Sequence, residues 1–186
     1  KDWRPFPDSA AALARLTRRY KLIAMTNAQR SAFDQFARAL GNPFYAGFTV
    51  DDTGTEKPDP AFFEQVFAFV EKDGGSRDEI LHVAQSQYHD IGISRKLGLT
   101  NCWIQRRHAQ PGYGGTIEPE RFTEPDFHFT SMAGLAERIK AMSPGALAVI
   151  KESVHRLVDM TEADAFAEEA RLGQRAFTSA DARKGL

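Results

Sequence analysis

Short apolar runs that alternate with helical patterns predict an α/β fold, a parallel sheet with helices packed against it. Three observations carry this expectation. Apolar stretches of strand length recur at 21–25, 48–50, 80–84 and 100–105. The intervals between them return to helical spacing, and the connections are short, polar and punctuated by Gly and Pro.

Taken in order, residues 9–20 read as a helix with Pro7 and Asp8 near its start. The run 21–25 is a strand that ends in Thr26-Asn27. Helical spacing then runs over 28–40 through Phe33, Phe36 and Leu40, and Gly41 supplies a stop. A short strand at 48–50 leads into a polar loop over 51–60. The strongest helical pattern follows at 60–71, where Phe62, Phe63, Val66, Phe67 and Val70 share one side. A strand at 80–84, a helix at 89–97 closed by Gly98, and a strand at 100–105 complete the main alternation. A last short strand at 127–129 and a helix at 132–141 end the first segment.

The 186 residues suit one domain with an appendage, and 14 Phe within a 42% hydrophobic fraction are enough for a core. Lys and Arg (24) nearly balance Asp and Glu (25), so no global field favours nucleic acid or an anionic membrane. Arg106-Arg107-His108 is too short for a nucleic-acid footprint. A single cysteine, Cys102, excludes an internal disulfide and suits a reducing cytoplasm. No apolar run reaches membrane-spanning length, and no secretory signal is present. The composition leaves an oligomer open.

In a parallel α/β sheet the strand-to-helix loops gather at the carboxyl ends of the strands, where ligands bind. Thr26, Asn27 and the loop 85–90 all fall at such ends. Asn27 is either a turn or N-cap residue, or part of an anion cradle made by a hydroxyl, an amide and a helix start. Lys57, in Glu56-Lys57-Pro58-Asp59-Pro60, is either a solvated loop charge or a cation aimed by the stiff prolines toward the next helix. Asp90 is either an ordinary first-turn acid or a site carboxylate. His82 reads as a core or sheet-end residue, and His89 abuts Asp90 and would orient it. His108, His128 and His155 have no zinc-site spacing, and Cys102 reads as a buried strand residue.

Together, Lys21-Leu-Ile-Ala-Met-Thr-Asn27, Lys57-Pro58-Asp59-Pro60 and His82-Val-Ala-Gln-Ser-Gln-Tyr-His-Asp90 resemble the second, third and fourth motifs of the haloacid dehalogenase (HAD) superfamily of hydrolases. The resemblance implies a Rossmann-like parallel sheet over residues 1–142. It implies a small anionic substrate held by Thr26, Asn27 and Ser86. Lys57 would balance the charge of a nucleophilic carboxylate, and Asp90 would orient water or the lysine. In the superfamily the attacking aspartate lies on an earlier strand, and no such strand precedes Lys21. Asp8, Asp51 and Asp59 are not on a strand of the required type. The expectation is therefore an incomplete fold, without the first strand and the cap, that begins inside a longer gene product and is inactive as an isolated chain.

No metal or other cofactor is expected. Phosphatases of this superfamily bind magnesium through acids in the fourth motif, and here the first acid position holds Gln85, a poor ligand for a hard cation. The pattern leans toward the metal-independent 2-haloacid dehalogenase type, although the Tyr and Asn places of those enzymes hold Phe63 and Gln87.

After Met142 the character changes to a helical tail, 143–186. Ser143-Pro-Gly-Ala-Leu-Ala-Val-Ile-Lys-Glu152, Ala165-Phe-Ala-Glu-Glu-Ala170 and Phe177-Thr-Ser-Ala-Asp-Ala-Arg-Lys-Gly185 resemble the C-terminal helices of the crotonase (enoyl-CoA hydratase) superfamily. Thr161-Glu-Ala-Asp164 is a capping-box variant that starts one of its helices. Two other readings stand beside the hydrolase. One is a catalytically silent fusion or interaction fragment; the other is part of a crotonase-type acyl-CoA enzyme, of whose core only helices are present.

Overall fold

The computed structural model describes residues 4–141. The tail 143–186, and the crotonase-like expectation placed on it, lie outside the described residues. Five strands are described: β1 (Ile23–Met25), β2 (Ala46–Phe48), β3 (Leu81–Ala84), β4 (Thr100–Ile104) and β5 (Phe127–Phe129). Helices α1 (Ser9–Leu16), α2 (Arg30–Ala39), α3 (Val50–Thr53), α4 (Pro60–Lys72), α5 (Gly92–Lys96) and α6 (Met132–Ala141) alternate with them. Every strand pair is parallel. The α/β fold with parallel strands is thus the one the alternation predicts.

The strands form two sheets, β1-β2 and β3-β4-β5. Among the described residues no backbone hydrogen bond joins β1 to β3. The Leu22 carbonyl and the Thr26 amide turn toward β2, accepting from Tyr45 N–H and donating to Phe48 C=O. Main-chain groups of alternate residues face opposite edges, so those of Ile23 and Met25 point away from β2.

Both sheets rest on one core. Phe62, Phe63, Val66 and Phe67 of α4 cluster with Ile93 and Leu99, and Ile23, Met25, Phe48 and Ile80 pack against them. The Phe side chains of α4 recur on one face because 62, 63, 66 and 67 fit the helical period. The helix starts at Pro60, and Asp59 caps it by accepting the Ala61 amide at 2.8 Å. Each fully buried Phe contributes roughly 1.5–3 kcal/mol of transfer free energy. On the far side of the chain order, Asp8 accepts from Arg106 Nη1 at 2.7 Å and from the Ala133 amide at 3.2 Å. That carboxylate ties the start of α1 to the end of β4 and the start of α6.

Three predicted elements differ in detail. The strand expected at 48–50 lies at 46–48, because Thr49 is already the N-cap of α3. Asp52 accepts from both the Thr49 amide (2.8 Å) and its hydroxyl (2.6 Å), which turns part of the expected loop into a helical turn. Gly54, with φ of +66°, ends that turn. The helix expected over 89–97 is instead a π-helical turn at Gln87–Ile91 followed by α5. There the Ser86 carbonyl accepts from both Asp90 N–H and Ile91 N–H, which widens the first turn. The first helix ends four residues early, with Thr17 Oγ1 donating to the Ala14 carbonyl at 3.0 Å.

Candidate active site

The end of β1, the loop before α4 and the loop after β3 converge on Lys57. The residue as a whole is buried, 8% exposed, although lysine seldom is. The ammonium donates to Asp90 Oδ1 at 2.6 Å and to the Met25 carbonyl at 3.1 Å. The second bond occupies an edge carbonyl of β1 that no strand takes among the described residues.

Asp90 is 5% exposed and has a second partner, His82 Nε2 at 3.2 Å. Burial by itself would raise the Asp90 pKa. The adjacent Lys57 charge and the hydrogen bonds from His82 and Lys57 outweigh it and hold the carboxyl at about 2. Asp90 is therefore ionised across the physiological range. His82 in turn packs its ring against Phe63, with centroids 5.4 Å apart.

The main chain of Lys57 is fixed from β1. Asn27 Oδ1 accepts the Lys57 amide at 2.8 Å, and Asn27 Nδ2 donates to the Lys57 carbonyl at 2.8 Å. Thr26 Oγ1 accepts the Ala28 amide at 3.1 Å, which leaves its hydroxyl proton to donate elsewhere. Ser86 Oγ accepts the His89 amide at 2.9 Å and lies 3.1 Å from His89 Nδ1.

Of the five residues singled out from the sequence, Lys57 and Asp90 are in direct contact, and Asn27 is bonded to Lys57. The side chains of Thr26 and Ser86 make their bonds within their own loops. His82, expected as a core or sheet-end residue, is buried and also bonds to Asp90, whereas the ring of His89 turns to Ser86. The signal was present: a histidine in a buried strand needs a polar partner. The three other aspartates considered as nucleophiles are engaged elsewhere. Asp8 pairs with Arg106, Asp51 accepts the Arg30 amide and Asp59 caps α4.

The donor set does not fit a hard divalent cation. Asp90 is the carboxylate at the centre, and the Lys57 ammonium already neutralises it. Gln85 offers an amide where an acid would be needed, and its main-chain carbonyl accepts from Trp103 Nε1 at 2.8 Å. Among the described residues no group of three or more His, Cys, Asp or Glu is placed to share a metal. No described helix is long and apolar enough to cross a membrane.

Comparison with known proteins gives a consistent picture. Residues 1–90 match the family model described as haloacid dehalogenase-like hydrolase. No curated protein sequence matches the chain. Among solved structures, an L-2-haloacid dehalogenase is similar at 26% identity and a TM-score of 0.62, covering 74% of this chain and 57% of that one. The L-2-haloacid dehalogenase from Xanthobacter autotrophicus is similar at 21% identity and a TM-score of 0.59, covering 75% of this chain and 62% of its own. A HAD phosphatase from Thermococcus onnurineus has 23% identity and a TM-score of 0.57, over 72% and 57% of the two chains. The chain therefore spans about three fifths of the length of the solved structures it resembles.

Proposed function

We propose, from the match of residues 1–90 to a haloacid dehalogenase-like hydrolase model and the similar solved structures, that the site of this chain serves hydrolysis of a small anionic substrate of the 2-haloacid type. The observation that supports this most is the buried Lys57–Asp90 pair at the carboxyl ends of β1 and β3. A buried ammonium beside a strand end stabilises negative charge on a carboxylate brought next to it and on the groups that react with it. In the proposed reaction an aspartate carboxylate attacks the substrate carbon, forming a C–O bond as the carbon–halogen bond breaks and halide leaves. Water then adds to the ester carbonyl, regenerating the carboxylate and releasing the hydroxy acid and a proton.

In this reading Lys57 stabilises the attacking carboxylate, Asp90 holds Lys57 and orients water, and Thr26 and Ser86 line the anion's approach beside Asn27, whose amide is bonded to Lys57. In the superfamily the attacking aspartate comes from a strand that would lie between β1 and β3, and among the described residues no strand occupies that place. None of the aspartates at the described strand ends takes that role, since Asp90 is bound to Lys57. No metal enters the scheme, because Gln85 and the neutralised Asp90 do not suit one.

A silent interaction fragment is the second reading. It is favoured by an edge of β1 that no strand pairs among the described residues, and by an ammonium whose partners are Asp90 and a main-chain carbonyl. Halide release from 2-chloropropionate, followed for this polypeptide and for Lys57→Ala, separates the two. Turnover that disappears in the variant supports the hydrolase. Turnover that persists in the variant removes Lys57 from the mechanism, and no turnover in either favours the silent fragment.

A further inference from the structure

Asn27 and Lys57 are thirty residues apart in the chain, yet one side-chain amide holds both main-chain groups of the same residue at 2.8 Å. This doublet copies the pairing a neighbouring strand would make, and it joins the end of β1 to the loop before α4. The same lysine then returns to β1, where its ammonium donates to the Met25 carbonyl at 3.1 Å. Lys57 is thus held at its backbone and at its tip by residues 25 and 27 of a single strand end. We infer that Asn27 is the positioning residue of Lys57, clamping its main chain so that the ammonium meets Asp90 within the buried site. Turning the Asn27 amide toward an incoming anion would break both bonds at once, so Asn27 acts through Lys57.

The inference rests on the reading of Lys57 as the working cation of the site. It is tested by ionisation, a readout that needs no turnover. In the full chain with 13C-labelled aspartate, the Asp90 carboxyl of the unmodified protein is expected to titrate at about 2. In Asn27→Ala that midpoint is expected to rise by about one unit or more, because a displaced ammonium no longer holds the carboxylate. Asn27→Asp keeps an acceptor for the Lys57 amide and loses the donor to its carbonyl, so its midpoint is expected to fall between the two. If Asn27 only braces the fold, thermal stability drops in Asn27→Ala while the Asp90 midpoint stays where it was, and the inference is overturned. Should Asn27→Ala fail to fold, the unmodified chain still decides. A scalar coupling across the hydrogen bond, from the Lys57 amide nitrogen to the Asn27 side-chain carbonyl carbon, is expected, and its absence overturns the clamp. An inactive chain whose Asp90 midpoint rises as expected would defeat the hydrolase reading and leave this one standing.

Discussion

Lys57 Nζ lies 2.6 Å from Asp90 Oδ1, and the two side chains are only 10% and 7% exposed. A pair this dry is costly to desolvate, and each charge depends on the other to remain ionised. Its placement at the ends of strands from two different sheets makes it a site feature more than a stabilising one.

Replacing Lys57 by Met leaves Asp90 buried with His82 as its one remaining side-chain partner among the described residues. The expected loss is about 3–5 kcal/mol of unfolding free energy, the usual cost of removing one member of a buried pair. Urea denaturation of the variant measures it. A loss below about 1 kcal/mol would mean that water reaches the pair in solution.

The depressed Asp90 pKa sets a pH window. A carboxyl at about 2 in the folded chain, against an ordinary 3.8, contributes about 2 kcal/mol at neutral pH. The sign follows from the depressed folded value: the contribution is complete above about pH 4 and is lost as pH falls through about 2. Asp90→Asn is expected to flatten this part of the stability profile. A variant that keeps the full acid dependence would place the responsible carboxylate elsewhere, for example at Asp8, whose pKa is also lowered: burial raises it, and the Arg106 hydrogen bond and charge outweigh that.

Hydrogen exchange reads the edge of β1. The Ile23 and Met25 amides face away from β2, while the Thr26 amide donates to Phe48. Ile23 and Met25 are expected to exchange several-fold faster than Ala24 and Thr26, a net hydrogen bond being worth about 1 kcal/mol. Uniform protection along the strand would show that another segment pairs with that edge in solution.

Cys102 is fully buried, and burial pushes its thiol up to about 12. At pH 8 only about one part in ten thousand is thiolate, so native protein is expected to react with a thiol reagent about a thousandfold slower than free cysteine. Stoichiometric labelling without denaturant would contradict the burial of β4.

Much of this arrangement was legible in the sequence, and the parts that were not have physical causes. The α4 pattern was clear because five apolar positions fall on one helical face. Asp90 was legible because strand-to-helix connections gather at one end of a parallel sheet, and Lys57 because Lys57-Pro58-Asp59-Pro60 resembles the third superfamily motif. The shift of β2 went unseen because Thr49 suits a strand and an N-cap equally, and only the Asp52 carboxylate decides between them. His82 was read as core because a single histidine on a strand carries no spacing that names its partner. The Asn27 clamp was invisible for a similar reason: its partner is a main-chain amide and carbonyl, which every residue offers.

The sharing of α4 between the two sheets has a thermodynamic consequence. Among the described residues no hydrogen-bonded ladder carries stability from β1-β2 to β3-β4-β5, yet the α4 cluster packs against Ile23, Met25 and Phe48 of the first sheet and its Phe63 ring meets His82 of the second. Local opening of either sheet therefore exposes the same phenyl rings to water. The two sheets are expected to unfold as one cooperative unit, coupled through the side chains of a helix where most sheets are coupled through their backbones.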